Sequence, residues 1–158
     1  MAIDAYLKIP NVTGEVTNPN FKDQIALSSF SWGGEQASSM GTASGGSGAG
    51  KVTMHPLSVT KQVDKATATL LQAMCTGAHF DTVTLSAVKA GATKAYLVVE
   101  IKRVFVSTLQ FSGSDDIPVE SVSMTYGAIT IDYSQQDDKG TLTSTGKKGY
   151  NVQTGQSI

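Results

Sequence analysis

Tyr96-Leu97-Val98-Val99-Glu100-Ile101-Lys102-Arg103-Val104-Phe105-Val106-Ser107-Thr108-Leu109-Gln110-Phe111 is the stretch that decides the fold class. It is crowded with β-formers and free of Pro and Gly, so it reads as one long strand beginning at Ala95. Alternation places Leu97, Val99, Ile101 and Phe105 on one face and Val98, Val104 and Val106 on the other. A strand with one wet face alternates apolar and polar cleanly, so this one predicts cover on both faces, from a helix, a second sheet or another subunit. Glu100, Lys102 and Arg103 interrupt the apolar runs and read as structural charges that pair across strands.

Further strands surround it. Ile3, Ala5, Leu7 and Ile9 alternate with Asp4, Tyr6 and Lys8, a half-buried strand ended by Pro10. After turn signals at Gly14 and Asn18-Pro19-Asn20, a second strand spans Gln24 to Gly33, with Phe30 and Trp32 on one face and Ser29 and Ser31 on the other. Val52, Met54 and Leu57 to Val59 form a third, interrupted by Pro56. Helical spacing of Ala66, Leu70, Ala73, Met74 and Gly77 predicts one helix over Asp64 to Thr76, with Asp64 as its cap and Gly77 closing it. Thr82 to Lys89 and Val119 to Tyr133 complete the strands, set off by Gly91-Ala92 and Gly113-Ser114-Asp115-Asp116. Many strands, one helix and no strand–helix alternation predict an all-β domain over residues 1–158: a small barrel or sandwich of antiparallel sheets with the helix packed outside.

Composition narrows the function. Charged residues make up 16% of the chain against roughly 25% in an ordinary soluble domain, so much of the surface is Ser, Thr and Gly, suited to meeting other protein. A net charge of −1 without a basic run gives no footprint for nucleic acid. The N-terminal residues mix acidic and basic groups where a signal peptide needs an apolar run, and no stretch is long and apolar enough to enter a membrane; the chain is expected to be made in the cytoplasm. Gly41-Thr42-Ala43-Ser44-Gly45-Gly46-Ser47-Gly48-Ala49-Gly50-Lys51 begins like a phosphate-binding loop, but Val52 stands where a magnesium-ligating hydroxyl belongs and strand follows instead of helix. His55 and His79 lack partners at metal-ligand spacing, and Asp115-Asp116 and Asp137-Asp138 read as loop acids. The lone Cys75, on an apolar-rich helix, is expected to be a buried thiol. Neither a catalytic group, a cofactor nor a metal is expected.

Several segments, in order, resemble the haemolysin-coregulated (Hcp) proteins of type VI secretion: Asp4-Ala5-Tyr6-Leu7-Lys8-Ile9 with Gly14-Glu15, Ser29-Phe30-Ser31-Trp32-Gly33, the glycine-rich loop with Lys51, Thr60-Lys61-Gln62-Val63-Asp64-Lys65-Ala66-Thr67, and Pro118 to Tyr126. The resemblance spans nearly the whole chain; Ala68 departs from a frequent proline and Gly149-Tyr150-Asn151 from a frequent glycine-tryptophan. It implies a small β-barrel of two sheets flanked by a helix, a homohexameric ring, and rings stacked into a secreted tube. It also implies export without a signal peptide, effector proteins as cargo, and sheath, spike and baseplate as partners. Within that frame Ser29, Ser31 and Gly33 are expected to face the lumen, and Gly41, Gly45, Gly46, Ser47, Gly48 and Gly50 to contact a neighbouring ring or subunit. The competing readings are a phage-like tail-tube subunit and a carbohydrate-binding sandwich that stacks sugar on Trp32, Tyr96 or Tyr126.

Overall fold

The computed structural model describes residues 3–39, 48–114 and 116–158. In chain order the strands are β1 (Asp4–Lys8), β2 (Ile25–Leu27), β3 (Ser29–Ser31), β4 (Gly34–Ser39), β5 (Gly48–Met54) and β6 (Leu57–Gln62). The helix α1 (Thr67–Thr76) follows, then β7 (His79–Val88), β8 (Ala95–Ser112), β9 (Val119–Thr125), β10 (Ala128–Gln136), β11 (Leu142–Ser144), β12 (Lys148–Asn151) and β13 (Gln156–Ser157). Among the described residues all ladders are antiparallel.

The doubly apolar strand has a different explanation from the expected double cover. Along β8 the buried residues are Val99 and Ile101, then Val104 and Val106, so the parity changes between them. Arg103 sits at the change with φ 55°, a left-handed conformation rare for a side chain that is not glycine. The kink turns the pleat so that one core face is kept through the bend. Phe105, expected on the same covered face as Val99 and Ile101, is therefore outside and 45% exposed. Before the kink β8 pairs with β10, from Leu97↔Tyr133 to Lys102↔Ala128, and after it with β9, from Phe105↔Thr125 to Ser112↔Val119. One strand thus exchanges β10 for β9 at this corner within a single eleven-stranded network, while β7 pairs with it on both sides of the bend.

A second corner divides the expected strand over Gln24 to Gly33. Ile25 to Leu27 pair with β1, while Ser29 to Ser31 pair with β6, and Ser28 N–H donates to the Thr60 carbonyl at 2.7 Å between them. Among the described residues β2 and β6 form no ladder, so the pairings alone stop short of the closed barrel implied by the resemblance, although the all-β class with one helix is as expected. The strands surround a core in which Ile25, Leu57, Val83, Leu85, Ile101, Val104 and Met124 are fully buried. Each such side chain contributes roughly 1.5–3 kcal/mol relative to exposure.

Leu70 and Ala73 are the buried side chains of α1, which packs on β8. The helix begins at Thr67, three residues later than expected, and Asp64 is not its cap: Ala66 holds that position without a side-chain bond. Asp64 instead accepts from Ala66 N–H in the preceding turn and from Lys61. Gly77 closes the helix as expected, with φ 69°, and Ala78 N–H donates to the Ala73 carbonyl. Cys75 is exposed, contrary to expectation, because it lies off the Ala66, Leu70, Ala73 stripe that meets the sheet.

Candidate functional site

The outward face of β3, β6, β9 and the far half of β8 forms a field of uncharged polar side chains. Alternation along β6 buries Leu57, Val59 and Lys61 and turns Ser58 and Thr60 outward; along β9 it buries Glu120, Val122 and Met124 and turns out Ser121 and Ser123. Register then aligns the outward residues in rows. Ser31 stands opposite Ser58, Ser58 opposite Ser123, and Ser123 opposite Thr108. The second row runs Ser29, Thr60, Ser121 and Gln110. Ser29 and Ser31 are exposed, as expected from their alternation with the half-buried Phe30. Ser58 and Ser123 share a hydroxyl hydrogen bond at 2.9 Å, and Ser107 donates to the Ser123 carbonyl at 3.0 Å. The surface is rich in weak, reorientable hydrogen-bonding groups and contains neither a nucleophile–base pair nor a charge among the named positions.

Beneath it lies a buried polar cluster. Lys61 and Glu120 are directly opposite in the β6–β9 ladder, both with 0% exposure, and their side chains form an ion pair. Lys61 Nζ also donates to Asp64 Oδ1 at 2.8 Å and to the Gln62 carbonyl at 3.0 Å. Thr67, the first helical residue, donates its hydroxyl to Glu120 Oε1 at 3.0 Å and accepts from Asp64 N–H, so the cluster ties the start of α1 to the sheet. Sequence reasoning missed this cluster, but a signal was there: Lys61 and Glu120 occupy the apolar phase of otherwise alternating strands.

Other expected site residues fall elsewhere. Gly33 lies beyond the end of β3, where its carbonyl accepts from His55 N–H, and is not part of either row. Of the expected contact loop, Gly41, Gly45, Gly46 and Ser47 lie outside the described residues. Gly48 and Gly50 belong to β5 rather than to a loop. A Cβ on Gly50 would fall 1.7 Å from the Ala37 carbonyl oxygen beside a β-bulge, so glycine there is required by the hairpin's own backbone. Trp32, Tyr96 and Tyr126 are each half-buried, and Trp32 and Tyr96 line separate cavities. The Tyr126 hydroxyl donates to the His55 carbonyl at 2.8 Å, and burial raises its pKa above the usual tyrosine value. Among the described residues no group of His, Cys, Asp and Glu is arranged to hold a metal, and no helix is long and apolar enough to cross a membrane.

Relatives place this bent all-β frame in context. The family described as "Type VI secretion system effector, Hcp" matches residues 6–133. The protein Hcp1 of Pseudomonas aeruginosa is 35% identical over 144 residues, covering 89% of this chain and 88% of that protein. A structure described as that of a type six secretion system protein superposes with TM-score 0.92 at 31% identity, covering 99% of this chain and all of the other. The crystal structure of Hcp1 from Salmonella typhimurium superposes with TM-score 0.81 at 26% identity over the full length of both chains. The chain belongs to the Hcp family of type VI secretion tube proteins.

Proposed function

We propose that the chain forms homohexameric rings that stack into the inner tube of a type VI machine, with the hydroxyl rows of β3, β6, β9 and β8 lining the channel through which effector proteins pass. The observation that carries this reading is the register that sets Ser29 and Ser31 level with Thr60, Ser58, Ser121 and Ser123 on one exposed face. A channel that transports folded cargo benefits from a surface that hydrogen-bonds weakly and exchanges its partners for water at little cost. In this role the tube meets sheath, spike and baseplate, is exported with its cargo without a signal peptide, and performs no chemistry of its own. The segment from Gly41 to Gly50 contacts an adjacent ring or subunit. Electron microscopy of the purified protein is expected to show rings of six subunits, and a strictly monomeric protein across a wide concentration range would remove the reading. Replacing Ser31 by Arg is expected to leave rings intact and weaken effector retention; loss of the rings instead would place Ser31 in a subunit contact.

A further inference from the structure

Two apolar patches lie toward opposite ends of β8. At one end the sheet continues through β10 and β12 past the core, and its inner face meets the base of the β4–β5 hairpin. The result is a groove of about 530 Å³ lined by Trp32, Met54, Ile131, Tyr133, Tyr150 and Lys148, with Tyr133 46% exposed. At the other end Phe111, near the end of β8, and Ile117, just before β9, flank the β8–β9 turn and are 52% and 49% exposed. Tyr133 is level with Leu97 on β8, so fourteen residues separate the groove's rung from Phe111, up to about 46 Å of strand.

We propose that Phe111, near the end of β8, and Ile117, just before β9, of one copy seat in the Trp32–Tyr133 groove of the next, an inference that rests on the ring reading above. Closed rings need two different, complementary patches on each chain, and the two ends of β8 supply them. Their charges match: Lys148 lines the groove, Asp116 adjoins Ile117, and neither makes an ion pair among the described residues. Among the described residues, the ladder of the groove's own hairpin leads away from it. It runs from Gly34↔Met54 at the groove to Ser39↔Gly48, about 17 Å of strand away. Exposed apolar anchors entering a concave apolar site are the arrangement from which interfaces draw most of their energy.

The test uses full-length variants and mass in solution by light scattering. Ile117→Asp disables the Phe111 and Ile117 patch and Tyr133→Asp the groove; each alone is expected to raise the concentration for half-assembly at least about thirtyfold. An equimolar mixture retains one working patch and one working groove, and is expected to give dimers and stop there. Circular dichroism and thermal unfolding check that each variant is folded, and Ile117→Ser replaces the aspartate variant if it is not. Variants that assemble like the wild type, or folded monomeric variants whose mixture gives no dimer, would overturn the pairing while leaving the ring reading intact. A wild-type protein that is itself monomeric throughout would instead sink the ring reading.

Discussion

Replacing Lys61 by Met probes the buried cluster most directly. The substitution keeps the length of the side chain and removes the ammonium, leaving the Glu120 carboxylate at 0% exposure with the Thr67 hydroxyl as its remaining partner on Oε1. Glu120 Oε2 already lacks a partner among the described residues. Breaking a buried pair from one side costs ~3–5 kcal/mol because the remaining charge stays out of water. With a urea dependence of about 2 kcal/mol per molar, the unfolding midpoint is expected to fall by roughly 2 M. Glu120→Gln is expected to cost less, about 1–3 kcal/mol, since Lys61 keeps Asp64 at 2.8 Å and the Gln62 carbonyl. The double variant Lys61→Met with Glu120→Leu is expected to regain most of the lost stability, because it removes both desolvated charges. Equilibrium urea unfolding followed by circular dichroism measures all three. A midpoint shift for Lys61→Met under about 0.5 M, or a double variant as unstable as that single one, would refute the reasoning.

Three further outcomes are expected. Gly77→Ala places a Cβ in open space but at φ 69°, so it should cost about 1 kcal/mol of global stability through backbone strain alone, with Gly77→Asn costing less; thermal unfolding reads both. Gly50→Ala must displace the Ala37 carbonyl, and because β4 and β5 form their own two-stranded sheet, faster amide exchange is expected in that hairpin with little change in the core strands. Tyr126 has a raised pKa in the fold, so the protonated phenol is favoured there. Its contribution is full below pH 10, the unfolded value, and is lost as pH rises through the folded value; Tyr126→Phe should therefore show a shallower alkaline loss of stability in pH-dependent unfolding.

The sequence makes β1, the long β8, the single helix and its Gly77 stop legible, because period-two and helical spacing are local signals, but it joins β9 and β10 into one strand over Val119 to Tyr133 and gives no sign of β11, β12 and β13. It conceals the two corners. Alternation through Lys102 and Arg103 reads as two apolar faces, and only the left-handed backbone at Arg103 shows that Val104 and Val106 belong with Val99 and Ile101. Ser28 divides a strand that local propensity joins, since the choice between β1 and β6 as partner is made by tertiary pairing. Ser29 and Ser31 were recognisable by alternation with Phe30. The remainder of their rows, from Ser58 to Gln110, depends on register between distant strands, which one sequence does not encode visibly. Lys61 and Glu120 were visible as misplaced charges but not as partners, 59 residues apart.

The hydroxyl rows have a consequence for changes of environment. Ser29, Ser31, Ser58, Thr60, Thr108, Gln110, Ser121 and Ser123 carry no group that titrates, and their contacts are not screened by salt as those between charges are. A protein that leaves one cell's interior for a medium of different acidity and ionic strength would present the same lining on both sides of the journey. Under the proposed role, release of cargo from these rows would not be triggered by a change of acidity or ionic strength.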